Sequence, residues 1–216
     1  MIHSKPFDAI LFDMDGTLVD STAIVECIWT AFATRHNLSP AEVLHFAHGR
    51  PTSATVSHFI YDAETSAAEV SLVAAAEATE TTGVREIPGA RAILATLLDG
   101  SWAVVTSATR QITHLRMAAA GLPIPPLLIT SEDVQHGKPS PEGYQLAASK
   151  LGADISRCLI FEDAGPGIAA GMASGGTVVV VGGYHDERTS GLLRIHDFMT
   201  ASLRDGVLYS DVPVAK

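Results

Sequence analysis

Five short apolar runs punctuate the chain: Ala9–Phe12, Trp102–Thr106, Leu127–Thr130, Cys158–Phe161 and Thr177–Val181. Most are continuously apolar rather than alternating, which is the pattern of strands covered on both faces. Helical stretches separate the later runs, over Pro88–Leu98, Gln111–Ala120, Pro141–Leu151 and Gly167–Ser174. Gly121, Gly152 and Gly175-Gly176 stop the last three, and Pro88 stands at the start of the first. This alternation predicts an α/β protein with a Rossmann-like parallel sheet and helices on both faces. Residues 21–84 break the rhythm. They hold no convincing strand and instead read as helices at Ile24–His36, Pro40–Ala47, Thr52–Tyr61 and the Ala-rich Ser66–Thr82. The expectation is an all-helical domain of residues 21–84 inserted after the first strand of a core formed by 1–20 and 85–216. Its hinges fall at Asp20-Ser21-Thr22 and between Gly83 and Gly89.

Composition bounds the partners. A chain of 216 residues suits one domain with a modest insertion. At this size the core needs no disulfide staple. The formal charge is −10, with no run of Lys or Arg, which excludes sequence-independent binding to a nucleic-acid backbone. An anionic membrane surface would repel the same chain. Two distant cysteines, Cys27 and Cys158, fit a reducing compartment, and Cys158 reads as a small buried hydrophobe. No apolar stretch approaches a membrane span, and residues 1–6 carry no leader-like apolar core. A cytoplasmic protein is expected. No heptad or long apolar stripe calls for a partner, so a monomer is expected too.

The charge leaves room for a small anion if a few groups are well placed, and the strand ends supply them. In an open parallel sheet, ligands gather beyond the carboxyl ends of the strands. The first run ends in Asp13-Met14-Asp15-Gly16-Thr17, the second in Thr106-Ser107, and the fourth in Glu162-Asp163; the third leads to Gly137-Lys138-Pro139. Each alone has an ordinary explanation as a turn or a helix cap. Together, in order and at strand ends, they are the inventory for phosphoryl transfer with Mg²⁺. One carboxylate attacks phosphorus, and a second two positions on serves as acid and base. A hydroxyl and an ammonium hold the equatorial oxygens, and a hard cation offsets the repulsion between anions.

Phe12-Asp13-Met14-Asp15-Gly16-Thr17 resembles motif I of the haloacid dehalogenase superfamily, and Val105-Thr106-Ser107 resembles motif II. Gly137-Lys138-Pro139 is similar to motif III and Phe161-Glu162-Asp163-Ala164-Gly165-Pro166-Gly167 to motif IV. The resemblance implies a core of that family's fold with the helical insert as a type 1 cap. It implies Asp13 as nucleophile and metal ligand, and Asp15 as acid/base whose backbone carbonyl also binds metal. Thr106, Ser107 and Lys138 then bind phosphate, Asp163 ligates Mg²⁺, and Glu162 supports that metal site.

The same resemblance narrows the chemistry. Relatives that cleave carbon–halogen bonds lack the second aspartate, which is present here as Asp15. Mutase relatives carry a hinge histidine ten residues after it, where this chain has Val25; phosphonatases need a cap lysine, and none lies between Lys5 and Lys138. A phosphomonoesterase remains, resembling the 2-deoxyglucose-6-phosphatase and glycerol-phosphatase group. Its substrate would be a small phosphorylated sugar or polyol. Phosphoglycolate or a nucleotide monophosphate is the alternative substrate, and a non-catalytic phosphate-ligand-binding or regulatory protein is the alternative of another class. In the cap, His48-Gly49-Arg50-Pro51-Thr52 stands out, with Arg50 a candidate substrate-binding residue. His45 and His48 can share a helix face, without an evident third metal ligand. The Ala-rich helix reads as cap packing, and His185-Asp186-Glu187-Arg188 as a solvated loop that could sit near the rim.

Overall fold

A computed structural model describes residues 6–204 and 206–210. Residues 1–5, part of the segment read as lacking a leader, lie outside that range. The sheet is built from β1 (Ala9–Phe12), β4 (Trp102–Val105), β5 (Leu127–Ile129), β6 (Cys158–Glu162), β7 (Thr177–Val181) and β8 (Leu193–Ile195). Its strand order is β5-β4-β1-β6-β7-β8, with every pairing parallel. The register sets Phe12 beside Val104 on one side and Phe161 on the other. Phe12 and Phe161 stack at 5.0 Å between ring centroids.

Two apolar layers sandwich the sheet. Phe12, Trp102, Val104, Phe161 and Phe198 pack on one face, and Leu11, Val105, Ile160, Tyr144 and Ile168 on the other. This is why the strands read as unbroken apolar runs: successive side chains point to opposite faces, and both faces are covered. The covering helices include α5 (Ala90–Leu94), α6 (Arg110–Ala119), α7 (Glu142–Lys150) and α8 (Gly165–Ser174). Cys158 is fully buried, and burial pushes its thiol up to about 11, so it behaves as an inert apolar group.

Four helices follow the first strand as expected: α1 (Thr22–Arg35), α2 (Pro40–Ala47), α3 (Thr52–Phe59) and α4 (Ala63–Glu77). Ile24, Ile28, Trp29 and Phe32 of α1 form an apolar stripe that meets Val43, Val56 and Val73 of the other three. Helix α4 begins three residues before the predicted Ser66, because Asp62 caps it by accepting from the Thr65 N–H at 2.8 Å. A two-stranded stem joins this layer to the sheet. Its strands, β2 (Val19–Asp20) and β3 (Arg85–Glu86), pair antiparallel, and Arg85 donates to Asp20 at 2.9 Å.

Three features depart from expectation. Helix α5 is five residues long instead of running from Pro88 to Leu98. Gly89 precedes it in the left-handed region at φ 82°, and the Thr96 hydroxyl bonds back to the Ile93 carbonyl at 2.7 Å, so the helix is bounded at both ends. The sheet gains a sixth strand, β8, whose Leu193-Arg194-Ile195 lacks the continuous apolar run of the other five. Finally, β9 (Ala201–Arg204) and β10 (Val207–Ser210) form a hairpin against Phe7, whose N–H donates to the Gly206 carbonyl at 2.8 Å.

Candidate active site

The strand order brings the sequence-distant acids to one rim. Strand β1 lies between β4 and β6, so Asp13, Thr106 and Glu162-Asp163 emerge from three adjacent strand ends. The loop after β5, the next strand over, delivers Lys138. Its ammonium pairs directly with Asp13 and, at 2.7 Å, with Glu162 Oε1. Burial works against the charge on Lys138, but Asp13 and Glu162 outweigh it and hold the ammonium well above its ordinary range.

Glu162 is saturated. Its Oε1 accepts from Lys138 and from the Tyr144 hydroxyl at 2.6 Å, and its Oε2 from the N–H groups of Asp163 (3.1 Å) and Ala164 (3.4 Å). Helix α8 sits so close that a Cβ at Gly167 would run into the Glu162 carboxylate. Asp163 points the other way, accepting from Thr17 Oγ1 at 3.2 Å and meeting His48 Nε2 at 3.1 Å. A Cβ at Gly16, where φ is 83°, would collide with the same carboxylate. The sharp turn of motif I therefore needs glycine both for its backbone and for the space Asp163 takes.

Oxygens of Asp13, Glu162 and Asp163 lie within 4.8 Å of one another, a set able to hold a cation. Burial raises the carboxyls of both Asp13 and Asp163, and Lys138 lies near both. Two buried carboxylates and the half-buried Asp163 around one ammonium leave negative charge uncompensated, so the donor set fits a hard divalent ion. Because the protein itself satisfies Glu162, Asp13 and Asp163 are the side chains with oxygen capacity left for a ligand.

Asp15 takes a separate position. Its Oδ1 accepts from Ser21 Oγ at 2.5 Å and its Oδ2 from Arg116 Nη1 at 2.9 Å. Thr106 is buried, and its Oγ1 accepts from the Ala108 N–H at 3.1 Å. Ser107 donates to the Gly49 carbonyl at 3.2 Å, which ties the α2–α3 loop to the core. Gly49 stands at φ 71°, where a Cβ would approach Ala164 Cβ to 3.0 Å. His48 thereby joins the acidic rim instead of pairing with His45. Arg50 stacks over Phe46, 4.5 Å from the ring centroid, while lining the cavity. The 185–188 loop forms a short turn capped by Asp186, and Arg188 lines an outer cleft beside Asp163.

A cavity of about 450 Å³ lies between the rim and the helical layer, bounded by Asp13, Asp15 and Thr106 on one side and by Trp29, Leu44 and Val70 on the other. Arg116 and Glu77 also line it. Neither was visible as a site residue in the sequence, since each sits inside a helical pattern far from any motif. The one available signal was a charged residue on the otherwise buried face of its helix.

A sequence profile of the haloacid dehalogenase-like hydrolases matches residues 7–175. The chain belongs to the haloacid dehalogenase-like hydrolases. Hexitol phosphatase A of Escherichia coli (strain K12) is 42% identical to it over 79% of this chain and 81% of its own length. Glycerol-1-phosphate phosphohydrolase 1 of Saccharomyces cerevisiae is 34% identical, over 82% of this chain and 75% of its own. Among solved structures, a hydrolase from Pseudomonas syringae superposes with a TM-score of 0.76 at 27% identity, covering 88% of this chain and 92% of that one.

Proposed function

We propose that this hydrolase is a Mg²⁺-dependent phosphomonoesterase for a six-carbon sugar or polyol phosphate, working through an aspartyl-phosphate on Asp13 in a reducing cytoplasm. Residues 21–84 act as a cap domain over a core of 1–20 and 85–216. Asp13 attacks phosphorus, the bond from phosphorus to the ester oxygen breaks, and that oxygen takes a proton from Asp15. In the second step Asp15 takes a proton from water, whose oxygen attacks phosphorus and releases phosphate and the free Asp13 carboxylate. Mg²⁺, held by Asp13, Asp163 and the Asp15 backbone carbonyl, would offset the repulsion between nucleophile and phosphate. Lys138, Thr106 and Ser107 hold the phosphate oxygens, Glu162 positions Lys138, and Arg50 reaches the substrate from the cap.

The observation that carries the substrate class is the far wall of the cavity. Trp29, Leu44 and Val70 give it apolar area, while Glu26, Thr52 and Glu77 supply polar groups. The Arg116 charge there is already shared between Asp15 and Glu77. Such a wall accepts hydrogen bonds from hydroxyls and offers apolar area to a carbon chain. That favours a polyol chain, whose hydroxyls donate to these acceptors, over phosphoglycolate, whose carboxylate has no proton to donate. Hexitol phosphatase A, by its name, acts on the class this wall suits.

The test is phosphate release from hexitol, hexose, glycerol, glycolate and nucleotide monoesters, ranked by kcat/KM. Hexitol or hexose phosphates should lead, with glycolate last. A lead for glycolate or a nucleotide overturns the substrate class, and tight ligand binding without turnover overturns the enzyme.

A further inference from the structure

Arg116 is a core residue with no place in the four motifs, yet it is buried to 2% exposure beside the reaction site. It projects from α6, and its two terminal nitrogens go to different parts of the molecule. Nη1 donates to Asp15 Oδ2 at 2.9 Å, and Nη2 donates to Glu77 Oε1 at 3.3 Å. Glu77 is the last residue of α4, and its other oxygen accepts from Thr52 Oγ1, at the start of α3, at 2.8 Å. One guanidinium thus links the motif I loop to two helices of the inserted layer. The planar fork permits this, since its nitrogens hold a fixed spacing that a lysine ammonium lacks.

Packing does not explain an arginine here. Its Nε–H is buried without a hydrogen-bond partner among the described residues. Buried charge clusters are weak sources of stability compared with apolar residues of similar volume. What the arginine does supply is direction. The Asp15 carboxylate has two oxygens, one fixed by Ser21 at 2.5 Å and the other by Arg116, so its plane is set by these two donors. Ser21 stands at the N-cap of α1 but makes no cap hydrogen bond with its side chain. A group well suited to capping has been given over to Asp15.

We propose that Arg116 is a positioning residue that orients Asp15 for proton exchange and, through Glu77 and Thr52, makes that orientation depend on the helical layer being seated. This rests on the reading of Asp15 as acid and base. Its consequence is selective. An alkyl phosphate needs a proton on the departing oxygen, whereas a nitrophenyl phosphate releases a stable phenolate without one. The ratio kcat/KM reads every step through departure of the leaving group, so misorienting Asp15 should penalise the alkyl ester alone.

The experiment measures kcat/KM for a hexitol phosphate and for p-nitrophenyl phosphate in the wild type, Asp15→Asn, Arg116→Lys and Glu77→Ala, with the thermal midpoint of each. Arg116→Lys keeps the charge and most of the volume. It should lose about 10²-fold on the hexitol ester and less than about 3-fold on the aryl ester. Glu77→Ala should show the same bias at about 5-fold, carried by kcat and not by KM as a lost substrate contact would be, because the Arg116 fork is released at one end. Asp15→Asn calibrates the scale and should lose the hexitol ester while still releasing nitrophenolate. An unbiased Asp15→Asn overturns the acid/base reading itself. A biased Asp15→Asn beside equal losses on both esters, or none, in Arg116→Lys overturns the positioning role alone. Bias in Arg116→Lys without bias in Glu77→Ala overturns the dependence on the helical layer. If Arg116→Lys does not fold, Glu77→Ala alone decides, and equal losses on the two esters there, or a hexitol loss carried by KM, overturn the proposal.

Discussion

At the scale of single residues, the site is a set of carboxylates given different work by their partners. Glu162 is saturated by donors, Asp15 is held by two, and the Asp13 side chain meets only Lys138 as a hydrogen-bond or ion-pair partner among the described residues. That leaves Asp13 with lone pairs for the attack on phosphorus proposed above. Asp13→Asn should reduce phosphate release by at least about 10³-fold, the scale seen when a nucleophile is removed. Cooperative unfolding should persist, because the amide is neutral where burial already raises the carboxyl. A steady-state assay with a melting curve checks both. The motif acids were legible because each chemistry demands a residue type at a strand end. Tyr144 and Arg116 were not, because their roles depend on where a helix face lands.

At the scale of elements, short loops and helix starts do the positioning. The α2–α3 loop reaches the core only because Gly49 adopts φ 71° with no side chain against Ala164. Gly49→Ala adds both a strained backbone and a contact at 3.0 Å. The loop should lift, carrying His48 off Asp163 and Arg50 away from the cavity. Expected is a rise of about 10-fold in KM, as for lost uniform binding, with kcat reduced much less. An unchanged KM would place the loop outside the substrate path. Element types followed from periodicity where the run was continuously apolar, and the missed strands β8, β9 and β10 carry polar or charged residues within them. Strands β2 and β3 have two residues each and exist through mutual pairing and the Asp20–Arg85 ion pair, not through local preference.

At the scale of the whole molecule, the charge of −10 no longer argues against an anionic substrate. Several acids converge at one rim, where the helical layer and the sheet enclose them. Burial raises the Asp13 and Asp163 carboxyls, so the folded protein holds those protons more tightly than the unfolded chain. Stability from these groups is then present at low pH and lost as pH rises through the raised range. A bound cation reverses this by favouring the ionised form. The gain in midpoint on adding Mg²⁺ should therefore grow as pH rises through that range. Melting curves in chelator and in excess Mg²⁺ across pH test it; a gain independent of pH would remove Asp13 and Asp163 as ligands. Chelation should also abolish turnover.

The sequence by itself determined the α/β class, the helical insertion after β1 and the four strand-end motifs. Each of these is a local matter of apolar period or of residue type at a strand terminus. Only the tertiary structure decided that β4, β1 and β6 are neighbours, that Glu162 is satisfied within the protein, and that Arg116 bridges the motif I loop to α4. Those facts come from long-range pairing, with Arg116 101 residues from Asp15 and 39 from Glu77. Hydrophobic periodicity carries no information about which charged side chains will meet across such distances once the faces have packed.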